Sequence, residues 1–281
     1  MSGKDWGVRI FRLGVCRATP SIHRLWILFL CRIGSPAHRK KRKRLMPHRL
    51  HLELEIPFIT RWHTGSGEGS FTTDRLVRRN ARNQPFIPGS TLKGVIRQSC
   101  EKLNRTLGFP DPWDPHRLDL PGREGCLFPI QMASPVDQIF GTRVGCGDLY
   151  FRDAVPKPAE TALRKTYARN QVARYRVLRT SRDQHLFNTE YVPPLTLYTK
   201  IDAWHPLLPS FGVGDLPYAY CMLIGGILAV DRIGAQKSSG AGWLDGSIRI
   251  LAVEYNGKPY RINDALDYLQ PDFYQDMKGL V

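Results

Sequence analysis

One carboxylate, Asp74, stands among four arginines: Arg75, Arg78, Arg79 and Arg82. Read as residue types alone, this is a basic loop whose acid sits in a salt bridge with its neighbours. Two other stretches have the chemistry of phosphate seats. In residues 85–97 (PFIPGSTLKGVIR), Phe86 and Ile87 end an apolar strand and Pro88-Gly89 makes a tight turn. Ser90 or Thr91 then caps a helix that sends Leu92, Val95 and Ile96 inward. Lys93 and Arg97 are four residues apart and share a face. A helix N-terminus with free N–H groups and nearby cations attracts phosphate. An ordinary strand–helix corner with a solvated basic face would look the same. The second stretch is residues 233–242 (IGAQKSSGAG). Small residues such as Gly234, Ser238 and Gly240 let backbone N–H groups approach a phosphate, and Lys237 adds charge. It is neither a Walker loop nor a Rossmann turn, because no Gly-Lys-Ser/Thr ends it and Trp243-Leu244 opens a strand.

The elements that must position these residues follow from periodicity. Leu50, Leu52, Leu54 and Ile56 alternate with His51, Glu53 and Glu55, as in a half-buried strand. A small-residue loop, residues 62–67 (WHTGSG), follows. Its His63 has nothing close in sequence to orient it, so a loop histidine with a local hydrogen bond is preferred over a catalytic one. Residues 134–140 read as a short helix and 146–154 as a strand, with Asp148 and Asp153 in strand-end turns. Residues 165–182 interleave Lys165, Arg169, Arg174, Arg176, Arg179 and Arg182 with Tyr167 and Tyr175. That pattern suits single-stranded RNA, and equally a solvated charge run. Residues 195–204 alternate again, 223–228 (LIGGIL) belong to a buried helix, 243–253 close the sheet and a short amphipathic helix ends the chain. There is no half-length repeat. A sheet with helices on one side is an α+β fold.

Three of these stretches resemble the CRISPR RAMP proteins, and more narrowly the backbone subunit of type III effector complexes: PFIPGSTLKGVIR, the preceding segment with Asp74, Val77 and Arg79, and IGAQKSSGAGW. The resemblance implies a ferredoxin-like, RRM-like core. In that family an Asp in a loop before the PGSSLKG motif, with Val three and Arg five residues on, cleaves target RNA paired to the guide. Asp74 is the matching catalytic candidate. The resemblance also implies guide RNA held by Arg78, Arg79, Ser90, Thr91, Lys93, Arg97, Arg182, Gly234, Lys237, Ser238 and Gly240. Arg182, Leu186, Glu190, Val192 and Pro193 fit the outline of the family's thumb hairpin, although its Thr-Gly is replaced around Asp183-Gln184. Cleavage beside a ribose can use the RNA's own 2′-OH, so the Asp would help deprotonate it or hold a divalent ion, Mg²⁺, shared with RNA and water. Implied partners are guide and target RNA, the large polymerase-like subunit, the guide-end-capping subunit, small helical subunits and copies or paralogues of the chain. A non-catalytic scaffold and a stand-alone RAMP endonuclease acting on precursor guide RNA, with His63 its only tempting acid–base group, are the alternatives.

Charge agrees with a polyanion partner but is unevenly placed. The 281 residues carry a net +16, of which residues 1–45 supply +11 through twelve Lys/Arg and one acid. Residues 25–31 (LWILFLC) are too short to cross a bilayer, and no membrane role is expected. Residues 1–45 read as a basic, disordered tail or misassigned upstream sequence, with Met46 as the true start. Residues 46–281 read as one domain with insertions near 108–132 and 155–200. None of the six cysteines has CxxC spacing, so reduced thiols in a cytoplasmic protein are expected; a zinc site from His116, Cys126 and Cys146 has no spacing to support it.

Overall fold

The computed structural model describes residues 47–112, 134–142, 146–157, 165–206, 208, 210 and 215–269. The basic tail, most of the 108–132 insertion, and His116 and Cys126 lie outside the described residues.

Strand β1 (His48–Pro57) is the middle of the sheet. Its alternation buries Leu50, Leu52, Leu54 and Ile56 on one face. Helix α1 (Gly89–Thr106) covers that face with Leu92, Ile96 and Cys100. Helix α2 (Pro135–Phe140) is capped by the Ser134 side chain and followed by β2 (Leu149–Phe151) and β3 (Val155–Pro156). A separate two-stranded sheet comes next, β4 (Tyr167–Arg174) and β5 (Ser181–Tyr191). The chain returns as β6 (Thr196–His205), crosses as α3 (Tyr218–Leu228) and closes with β7 (Arg249–Tyr255), β8 (Lys258–Pro259) and α4 (Ile262–Asp267). The main sheet runs β2-β6-β1-β7-β8, all antiparallel, with β3 also on β6. Without the hairpin this is β-α-β-β-α-β with β1 and β6 inside: the ferredoxin-like arrangement.

Helix α3 is apolar on nearly every side, and such a helix must be buried. It crosses α1 closely, because a Cβ on Gly226 would overlap the Cys100 sulfur. Gly226→Ala is therefore expected to lower stability by about 1–3 kcal/mol through overpacking, read as a fall in thermal midpoint.

Three local expectations are corrected. Ile87 forms only an isolated bridge to Ala154, so no strand precedes α1. Helix α1 starts at Gly89 with Pro88 as N-cap and no side-chain cap, so neither Ser90 nor Thr91 caps it. Asp153 does so from the end of β2, accepting the Gly89 N–H at 2.8 Å. Gly89 is required for space, since a Cβ there would overlap the Phe151 carbonyl. Lastly, Trp243 and Leu244 make single bridges to Arg232 and Phe58, and the closing strand begins only at Arg249.

The sheet face away from the helices carries paired charges. His51 Nδ1 lies 2.6 Å from Asp202, which also accepts from Arg152; Lys200 Nζ lies 2.6 Å from Glu53; Arg249 pairs with Glu55. Each exposed pair stabilises little, but together they neutralise the face.

At one end of the sheet His48 faces His205 across β1 and β6, and His48 Nδ1 is 2.6 Å from the Tyr255 hydroxyl. Burial, then the proximity of His205, holds His48 below its ordinary value of 6.5. Asp148, beside His205 at 3.5 Å, is pushed up by burial. A histidine with a depressed folded pKa contributes stability that is present above its unfolded pKa and lost as pH falls through the folded one. The thermal midpoint should therefore fall on acidification from pH 7 to pH 5, and fall less in His48→Gln. Asp148 acts oppositely, at lower pH.

Candidate nucleic-acid interface

The hairpin β4–β5 pairs in register from Tyr167↔Tyr191 to Val172↔Leu186, with an irregularity before Arg174↔Ser181. Its turn is closed by Tyr175 N–H to Thr180 O and Arg179 N–H to Tyr175 O. Arg169, Arg174, Arg176, Arg179 and Arg182 are exposed, and the Arg182 guanidinium lies over the Tyr175 ring at 5.9 Å. Val177 and Leu178 are exposed among them. Among the described residues, none of these five arginines is in an ion pair. Apolar side chains framed by free guanidiniums can meet both the bases and the phosphates of RNA.

The loop that carries Asp74 folds back on itself. Gly65 bridges Val77, Ser66 N–H bonds to Leu76 O, and Arg78 N–H bonds to Thr64 O. The turn at its end is held by Ser70, with Phe71 fully exposed. Residues 74–77 then lie along β5 like an added strand. Arg75 bridges Thr189 in parallel, Arg75 N–H bonds to Asn188 O, and Glu190 N–H bonds to Arg75 O. The expected salt bridge is absent among the described residues: Asp74 Oδ2 instead accepts the Asn188 backbone N–H at 2.7 Å. Asp74 is otherwise exposed.

Arg78 is exposed, whereas Arg79 is tied down. Its Nη2 reaches Glu190 Oε1 and Thr166 Oγ1, each at 2.7 Å. The other Glu190 oxygen accepts the N–H of buried Val77 at 2.8 Å. Burial raises Glu190, but the bonds from Thr166, Val77 and Arg79 together hold it below the usual carboxylate range. Glu190, Arg78, Arg79 and Glu68 line an open pocket of about 430 Å³.

The glycine loop of residues 233–242 is tied to the base of the same hairpin. Ala235 N–H bonds to His63 O, Gly242 N–H to Arg61 O, and Ile233 N–H to Gly242 O. Gln236, with φ of 60°, places its amide between Gln171 and the Tyr191 hydroxyl. The Arg61 guanidinium lies over Tyr191 at 5.1 Å and donates to Ser239 O. Lys237 to Ser239 form a 3-10 turn, with Ser238, Ser239 and Gly240 exposed. Lys237 makes no ion pair among the described residues. His63 is 4% exposed, and its Nδ1 is 2.7 Å from Glu190 O. Its hydrogen bond is thus to a residue far along the chain, not local as expected, and joins the loop to the hairpin.

Residues 90–97 form the first turns of α1. Ser90 is exposed, and Thr91 and Lys93 are half-buried. Among the described residues, none of the three side chains bonds to the glycine loop. Arg97 is engaged internally, with Glu101 at 2.9 Å, the Gly141 carbonyl and Asp137. Asp153 already occupies the first N–H of α1, which removes part of the anion site expected there. Asn188, Gln171, Tyr191 and Arg61 were not legible as site residues, since their roles rest on backbone groups or on rings brought from elsewhere. Among the described residues no group of three or more His, Cys, Asp or Glu could hold a metal, and no helix is long and apolar enough to cross a membrane.

A ferredoxin-like α+β domain with five exposed arginines on a projecting hairpin has the build of an RNA-binding module. The RAMP superfamily model matches residues 55–245, more than half of the chain, and the chain belongs to that family. Membership supports a CRISPR-associated RNA-binding role in general. No curated protein matches the chain.

Proposed function

We propose that the chain is a guide-RNA-binding backbone subunit of a type III CRISPR effector and that it cuts guide-paired target RNA with Asp74. The observation that carries this reading is convergence on the last residues of β5. Asn188 holds the Asp74 loop, Glu190 holds Val77 and Arg79, and Tyr191 holds the glycine loop. One short segment thereby sets the distance between a backbone-binding loop and a carboxylate.

In this reading the guide backbone lies on Lys237, Ser238, Gly234 and Gly240, with Arg78 and Arg182 adding charge. Arg79 and Arg97 act as braces, as their ion pairs support. Ser90, Thr91 and Lys93 extend the guide path along α1. The hairpin tip meets the guide–target duplex or a neighbouring copy. Asp74 Oδ2 is fixed by Asn188, which leaves Oδ1 to face the RNA. Oδ1 would take the 2′-OH proton or help hold Mg²⁺, the other ligands being phosphate and water; the ion would neutralise charge developing on the scissile phosphate. The large polymerase-like subunit, the guide-end-capping subunit, small helical subunits, and copies or paralogues complete the proposed cytoplasmic assembly. The buried, hydrogen-bonded His63 argues against the stand-alone endonuclease reading.

The test is target-RNA cleavage by the assembled complex with Mg²⁺, comparing the native chain with Asp74→Ala while guide binding is followed in both. Unchanged cutting would leave a scaffold. Independently, Lys237→Ala should weaken guide binding about equally for every guide sequence and reduce the log–log salt slope by about 1.

A further inference from the structure

The hairpin and the Asp74 loop are hydrogen-bonded as one piece, and the side chain that fastens them is Glu190. Among the described residues the Asp74 carboxylate is held by the Asn188 backbone N–H. The next link is Asn188 Nδ2 to Thr72 O at 3.2 Å, followed by the Arg75–Asn188 and Arg75–Glu190 backbone bonds. Glu190 then closes the strip, one oxygen on the Val77 N–H and the other on Arg79 Nη2. Arg79 is further held by Thr166 Oγ1, at the foot of β4. Both strands of the hairpin therefore grip the loop, at residues three and five positions beyond Asp74.

We infer that Glu190 is a positioning residue for Asp74: it locks the cleavage loop to the hairpin, so that seating of the hairpin on RNA sets the carboxylate against the scissile phosphate. This rests on the proposed role of Asp74. The ligand class is the ribose–phosphate backbone of paired RNA, and the regulation is mechanical. When the hairpin is unseated by a misfit duplex, the loop moves with it and cutting fails although the guide stays bound. Misplacement of a reacting group by about 1 Å lowers a rate roughly 100-fold.

The experiment uses assembled complexes carrying Glu190→Gln, Asp74→Ala or both. Glutamine keeps an acceptor for the Val77 N–H and loses the charge pair with Arg79, so the fold is retained. Thermal midpoint, guide affinity, target affinity and single-turnover cutting are measured for each. Glu190→Gln is expected to slow cutting roughly 10- to 100-fold with both affinities unchanged, and to raise the Mg²⁺ concentration needed for half-maximal rate. In the Asp74→Ala background it should cause no further loss, as two residues acting through one carboxylate are not additive. Cutting by Glu190→Gln at the native rate overturns the inference. So does a loss that tracks guide affinity or thermal midpoint, because Glu190 would then be structural only. If Asp74→Ala itself cuts normally, the nuclease reading fails first, and that result is distinct from either of these.

Discussion

Complexes carrying Asp74→Ala are expected to cut target RNA about 100- to 10,000-fold more slowly, the range that a positioned proton-transfer group supplies. Guide binding should stay within a factor of two or so. Asp74 is exposed, and among the described residues its carboxylate makes no ion pair and one hydrogen bond, to the Asn188 backbone N–H. Losing that one bond changes stability by about 0.5–1.5 kcal/mol. The glycine loop is held by a separate set of bonds through Arg61, His63 and Gln236. Cutting and guide retention are therefore separable. Asp74→Asn refines the result. It keeps an acceptor for Asn188 and removes the negative charge, so a loss equal to that of alanine identifies charge or basicity, not loop order, as the catalytic contribution.

The second large effect is on the glycine loop, the proposed guide seat. Gly242 has φ of +78°, which disfavours any side chain, and a Cβ there would also overlap the carbonyl of Ile233, the residue whose N–H bonds to Gly242 O. Gly242→Ala combines the left-handed backbone penalty, about 1–2 kcal/mol, with overpacking of about 1–3 kcal/mol. A domain of this size should lose roughly 5–15 °C of thermal midpoint. The damage falls where Gly242 N–H meets Arg61 O, so guide affinity should drop along with stability. The control is Gly246→Ala: it shares φ of +78°, but a Cβ there meets nothing within 4 Å, so its loss should be limited to the backbone penalty.

Much of the fold is legible because it rests on local pattern. The β1 alternation, the all-apolar α3 and the Ser134-capped α2 each announce themselves within a dozen residues. The RAMP resemblance, carried by the PGSTLKG, Asp74 and glycine-loop segments, agrees with the family match over residues 55–245. What escaped notice depended on partners distant in sequence. Asp74 sits beside four arginines in the chain, yet the group that holds it is a backbone N–H 114 residues away. Arg97 reads as a phosphate ligand on its helix, and its contacts with Asp137 and the Gly141 carbonyl, about forty residues on, have no signal in the helix's own sequence. Gly89 reads in the sequence as a turn residue, whereas what requires glycine there is the closeness of the Phe151 carbonyl. The hairpin was legible as a basic, aromatic run, but its first strand and its turn were not, since a solvated charge run has the same composition.

Strand β1 is the first strand among the described residues and the innermost of the sheet, paired on one side to β6 up to His205 and on the other to β7 up to Tyr255. During synthesis it leaves the ribosome with an alternating apolar face and two open edges. It keeps one edge open for roughly 150 residues of further elongation and the other for about 200. Such a strand invites pairing with other nascent chains, and long-range antiparallel closure is slow. Soluble yield of this protein should therefore respond more to translation speed and chaperone supply than to surface charge. N-terminal fragments ending before residue 196 should aggregate instead of folding, and the Asp74 loop can find its seat on β5 only after the middle of the molecule has been made.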